Sequence, residues 1–226
     1  MKVASLQPTK WFPDQLVAIK PHLRGWLHLV AAPLSLAAAI VLVCLAPTTP
    51  DKWASAVYLA ASLLLFGISS LYHRFYWKPN WEIVWRRLDH SNIFLLIAGT
   101  YTPLSVALLN RHDTTVILGI VWTGAILGIL VNLFWPTAPR WLATLIYVVL
   151  GWVAIAYLPQ LWAAGGPVVV LLIVAGGVLY TLGALVYGMK RPNPSPTWFG
   201  FHEIFHAFTV LAWACQCVAV YFAVLG

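Results

Sequence analysis

The sequence predicts an all-α protein, a seven-transmembrane helix bundle with its N-terminus in the cytoplasm and its C-terminus outside. Three observations predict it. Of the 226 residues, 62% are hydrophobic and only 8% charged, with a mean hydropathy of +0.84, whereas a soluble domain is about a quarter charged. Apolar windows of the ~20 residues needed to span a bilayer recur along the whole chain. Basic residues fall almost entirely on one side of those windows.

Seven windows are expected, at 25–45, 53–77, 89–109, 115–135, 141–161, 168–189 and 199–225. Residues 1–24 form a short cytoplasmic tail, and 25–226 a single transmembrane domain. The tail has no apolar core and no small-residue cleavage site, so it does not read as a signal peptide. It carries Lys2, Lys10, Lys20 and Arg24. Arg74 stands in the last turn of the second window, Lys78, Arg86 and Arg87 lie between the second and third, Arg140 between the fourth and fifth, and Lys190 and Arg191 between the sixth and seventh. Eleven of the 13 Lys and Arg thus share one side, against Lys52 and Arg111 on the other. The positive-inside rule makes the basic side cytoplasmic. The net charge of +7 is therefore topological and suited to anionic lipid head groups, not to nucleic acid.

In the first window, His28 stands one turn inside the cytoplasmic boundary. It reads as an interfacial histidine, snorkelling or hydrogen-bonded, or else as a partner of the site below. Cys44 lies late in the same window. The second window ends in Ser69-Ser70-Leu71-Tyr72-His73, with Ser69 and His73 four apart and so on one helical face. Tyr72, Phe75, Tyr76 and Trp77 suit an interfacial aromatic belt.

The third window opens at Asp89, which alone would read as an acid favouring the helix dipole. Tyr101, twelve residues on, is ~18 Å further along the axis and belongs to another level. Pro103 predicts a kink, with Thr100 or Thr102 satisfying freed backbone groups. The fourth to sixth windows are nearly free of ionisable groups and read as scaffold. Asn132 lies near the cytoplasmic end of the fourth, and Gly176, Gly177 and Gly183 in the sixth permit close helix contact. A stiff, proline-rich loop, 191–196, leads into the seventh window. Cys215 and Cys217 there point to different faces and read as packing rather than as a chelating pair.

The chemistry gathers around Phe201-His202-Glu203-Ile204-Phe205-His206. Two histidines four apart share a face, and ionisable groups at membrane depth mark function. The predicted topology brings His73, Asp89, His202 and His206 to one level, in the inner-leaflet half. Three imidazoles plus a water make a catalytic zinc arrangement with one position open, so His73, His202 and His206 are the expected Zn2+ ligands. Asp89 would orient a ligand or act as base, with Ser69 close by. Glu203, His28 and Asn92 are candidates for the surrounding partners. Three other readings compete: two satisfied interior histidines; a protease of the His-Glu-x-x-His type with Glu203 as base; and haem, which wants its two histidines on opposite faces.

Together, Ser69-x3-His73, Asp89 and His202-x3-His206, with the strings SSLYHRFYW, LDHSNIFLLIAGTYTP and FHEIFHAF, resemble the hemolysin III family. That family is grouped with the progestin and adipoQ receptors, which include the adiponectin receptors, and more widely with alkaline ceramidases. The resemblance implies zinc held by His73, His202 and His206, with Asp89 and Ser69 around the attacking water. It gives Glu203 less weight as a base and carries no role onto His28. The leading expectation is a zinc-dependent hydrolase of a lipid amide or ester in the cell membrane, its substrate entering from the inner leaflet. A non-catalytic, zinc-stabilised membrane sensor and a lytic protein are the alternatives. No protein partner is legible.

Overall fold

The computed structural model of the chain describes residues 20–135 and 139–226. Most of the expected tail, including Lys2 and Lys10, lies outside the described residues. The rest is helical: α1 (Trp26–Leu45), α2 (Thr49–Arg74), α3 (Pro79–Leu108), α4 (Arg111–Phe134), α5 (Arg140–Gly151), a 3₁₀ turn η1 (Val153–Tyr157), α6 (Leu158–Met189) and α7 (Phe201–Leu225). No sheet forms among the described residues, only an isolated bridge between Ser195 and Phe199.

Local chemistry sets the helix starts. Thr48 caps α2 by accepting from the Asp51 amide at 3.3 Å, and Asn110 caps α4 by accepting from the Asp113 amide at 3.0 Å. Each side chain satisfies one of the amides a helix start leaves open. α3 begins at Pro79, whose missing N–H costs nothing in a first turn.

Six of these segments are long and apolar enough to cross a membrane, not the seven expected. The fifth and sixth windows form one apolar run, Trp141–Met189, of 49 residues. Gly166 breaks it, with φ 72° and ψ −179°, a conformation essentially reserved for glycine. Trp152 Nε1 donates to Thr181 Oγ1 at 2.9 Å, although the two are 29 residues apart in the chain. A straight helix would hold them ~44 Å apart, so the chain doubles back at Gly166.

α3 is the central helix, with 67% of its most apolar stretch buried. It touches α2, α4, α5, α6 and α7, while α6 packs most closely on α7 and α1 on α2. Between membrane helices, close approach rather than hydrophobic burial holds the contact. Small side chains provide it: Ala31, Ser35 and Ala39 on α1, and Ala54, Ser55, Ala61 and Ser62 on α2, are buried. A Cβ on Gly99 would meet Ala61 Cβ at 2.5 Å, and one on Gly176 would meet Gln216 Nε2 at 2.6 Å. Gly183 likewise faces α7, whereas Gly177 faces Trp152. Large apolar residues such as Leu34, Leu171 and Phe134 are exposed, as expected of a lipid-facing surface.

Two element-level expectations change, those for Asp89 and for the threonines beside Pro103. α3 begins ten residues before Asp89, so Asp89 sits in the helix interior and is no first-turn dipole partner. Thr100 and Thr102 donate to the Leu96 and Ala98 carbonyls, both at 2.8 Å; the carbonyl that Pro103 leaves without its amide partner is that of Gly99. Cys44 is exposed, while Cys217 is buried.

Candidate metal centre

Three helix ends converge on the site. The C-terminal turn of α2 supplies His73, the first two turns of α7 supply His202 and His206, and the first turn of α1 brings His28. Gly25 makes this convergence geometrically feasible. Its φ is 79°, and a Cβ there would meet His73 Cβ at 2.8 Å. Only a residue without a side chain fits both constraints.

The segment before α1 clasps the two ligand-bearing helices. Lys20 Nζ donates to the carbonyls of Tyr72 at 3.2 Å and Phe75 at 2.7 Å, at the end of α2. Burial lowers the pKa of the Lys20 ammonium from its ordinary value. The His22 amide donates to Thr197 O at 3.0 Å and the Leu23 amide to Trp198 O at 3.3 Å. The Arg24 guanidinium pairs with Glu203.

His73, His202 and His206 each present a ring nitrogen, and these three atoms all lie within 4.8 Å of one another. His73 Nε2 and His202 Nε2 are 3.2 Å apart. Two nitrogens on one zinc, each ~2.0–2.1 Å from it, stand at most ~4.2 Å apart, so the cluster is already near the dimensions of a metal seat. An all-imidazole donor set suits zinc, copper, iron or nickel. These three histidines can hold a metal ion.

Asp89 is buried, and its Oδ2 lies 3.6 Å from His73 Nε2 and 3.6 Å from His90 Nδ1. It stands outside the three-histidine group, at its edge. Ser69, one turn before His73, is buried and interacts with Asp89. His90, a residue the sequence reading passed over, is fixed at both nitrogens. Nδ1 is 2.8 Å from Arg86 O, and Nε2 is 3.1 Å from the Tyr187 hydroxyl.

The other candidates fall elsewhere. Glu203 is 1% exposed, with one oxygen on Arg24 Nε and the other accepting from the Gly200 amide at 2.7 Å. It locks the start of α7, with both of its oxygens engaged. Asn92 donates to Leu64 O at 2.9 Å and so ties α3 to α2. Asn132 does the same between α4 and α3, donating to Ser91 Oγ at 3.2 Å and Arg87 O at 3.3 Å. His28 does not snorkel. It is buried, and its ring stacks on His206.

One long cavity reaches this centre. Its wall includes Asp89 on α3, Leu109 just past the end of α3, His202 on α7 and Leu158 on α6. Asp89 to Leu109 is ~30 Å of helix, comparable to the hydrocarbon thickness of a bilayer. The wall is mostly apolar away from the histidine end.

The model of the family described as Haemolysin-III related matches residues 16–217. The chain belongs to this family. Among its haemolysin-III-related relatives, Hemolysin-3 of Bacillus cereus is 33% identical over 201 residues, covering 88% of this chain and 89% of the relative. The Hemolysin-3 homolog of Bacillus subtilis (strain 168) is 32% identical over 178 residues, covering 77% and 83%. Family membership and the six apolar helices make this a multi-pass protein of the cell membrane.

Proposed function

We propose that this chain is a membrane-embedded hydrolase of a lipid amide or ester, centred on a zinc ion held by His73, His202 and His206. One observation carries the reading: three convergent imidazoles stand at the end of a long apolar cavity, with a carboxylate and a hydroxyl beside them. Zinc bound there would polarise a carbonyl and make water nucleophilic near neutral pH. Asp89 takes a proton from the attacking water as its oxygen bonds to the carbonyl carbon. Asp89 then returns that proton to the departing nitrogen or oxygen as the carbon–heteroatom bond breaks. Ser69 donates to the carbonyl oxygen as charge develops on it. The apolar walls hold the acyl chain and exclude bulk water. His90, fixed by Arg86 and Tyr187, stands beside Asp89 at 3.6 Å.

The lipid enters from the inner leaflet, because the basic ends of the helices lie around the histidines. The run Trp141–Met189 crosses the membrane twice in this reading, which gives seven crossings, a cytoplasmic N-terminus and an external C-terminus.

The test is metal analysis of the purified protein with a turnover assay on ceramides, fatty-acid amides and phospholipid esters. About one zinc per chain is expected. Asp89→Asn should keep the metal and lose roughly 10²- to 10⁴-fold in turnover. Protein free of metal, or hydrolysis equal in Asp89→Asn and the unmodified chain, would sink the reading. Protein that binds zinc and hydrolyses nothing would support a zinc-stabilised sensor. The relatives' name suggests lysis as a second reading, which predicts dye release from liposomes by the purified chain.

A further inference from the structure

The chemistry proposed above leaves one buried ring in the site without a task. His28 is 2% exposed and lies flat against His206, with ring centroids 3.8 Å apart and planes 10° apart. Phe66 meets its ring edge-on at 5.1 Å. An imidazole binds a metal through a lone pair in its own plane. An ion in the plane of His206 is therefore displaced by about a ring's thickness from the plane of His28, and the stack does not suit a fourth ligand.

Neither nitrogen of His28 has a hydrogen-bond partner among the described residues. A neutral imidazole carries one donor and one acceptor. Leaving such a buried group unmatched is costly, so native proteins keep few of them, and each asks for a reason. Trp213 and Gln216 show the usual outcome: both are buried on α7, and each finds a partner, Ser62 Oγ at 3.1 Å and Ile173 O at 3.0 Å. His28 instead borders the cavity that Ser69, Asp89 and His206 also line, stacked on His206. Aromatic neighbours on its face and edge hold the ring, so little rotational freedom is lost when a ligand engages it.

We propose that His28 is a ligand-positioning residue that hydrogen-bonds the polar head of an acyl lipid whose chain fills the cavity. The head is a carbonyl group, amide or carboxylate, and the imidazole N–H donates to its oxygen. The inference deepens the lipid reading and rests on it.

The test compares binding of palmitate, palmitamide and hexadecane to the full-length protein in detergent, for the unmodified chain, His28→Phe and His28→Gln. His28→Phe keeps an aromatic ring on His206 and removes both nitrogens. It should weaken palmitate or palmitamide binding roughly five- to tenfold and leave hexadecane unchanged. Metal content should also stay as in the unmodified chain. His28→Gln, with a donor and an acceptor but no ring, should recover part of the loss. Which of the two headed probes is affected more tells a free acid from an amide. Equal losses for all three probes would mean a change of cavity shape and overturn the proposal. So would lost metal, which would mean that His28 acts only through His206, and so would unchanged affinities. Should His28→Phe not fold, His28→Leu is read by the same outcomes. If the unmodified chain binds none of the probes, the lipid reading itself fails and takes this inference with it.

Discussion

Glu203 shows how far a short string carries at the scale of single residues. His202-Glu203-x-x-His206 matches a metalloprotease pattern letter for letter, yet both carboxylate oxygens are engaged, by Arg24 and by the Gly200 amide. Glu203→Gln should therefore lower stability by roughly 1–3 kcal/mol, since it leaves Arg24 facing a neutral group; the partial exposure of Arg24, 21%, keeps the cost below that of a fully buried pair. Thermal unfolding in detergent reads the loss, and metal per folded chain should not change. A stable, fully metallated but inactive variant would restore Glu203 as the base. The histidine pair was legible because four-residue spacing is a local property of a helix. The Arg24–Glu203 pair was not, because its partners are 179 residues apart and only packing brings them together. His28 was legible as a residue one turn inside a boundary. Its environment was not, because nothing in α1 itself says which side chains it will meet.

At the scale of elements, two glycines carry the geometry that sequence periodicity cannot express. Gly25 stands where α1 crosses the end of α2, with positive φ and no room for a Cβ beside His73. Gly25→Ala should cost about 1–2 kcal/mol from backbone strain alone and, by pushing on His73, lower the metal content. Unfolding and metal analysis check both, and a fully metallated variant of unchanged stability would show that the end of α2 yields freely. Gly166 is the other. Gly166→Ala should destabilise by about 1–3 kcal/mol, whereas Gly188→Ala, with nothing within 4 Å of an added Cβ, should be neutral or slightly stabilising. Equal effects of the two alanines would remove the special role of the Gly166 turn. The windows ending at 161 and starting at 168 lie on either side of this break. Their hydropathy does not say that helical structure runs up to a single glycine, which is why one long segment replaces two.

At the scale of the whole molecule, the cavity and the topology depend on the same reversal. A run of 49 residues would measure ~74 Å as one helix, more than twice the ~30 Å of a bilayer core. In the proposed reading it folds back at Gly166 and spans the bilayer twice; residues on both sides of the break, such as Tyr147 and Ile173, line the cavity. Under the proposed seven crossings the total is odd, and Gly226 is expected on the membrane face opposite Arg24. In a variant with Cys44, Cys215 and Cys217 replaced by serine or alanine, Gly226→Cys should react with an impermeant maleimide in intact cells. Thr197→Cys, exposed in the loop before α7, should react only after permeabilisation, because it shares the side of Lys190, Arg191 and Arg24. Labelling of position 226 only after permeabilisation would set the C-terminus on the cytoplasmic side. The crossings would then be even in number, and the histidine cluster could no longer be assigned to the inner leaflet from the distribution of positive charge.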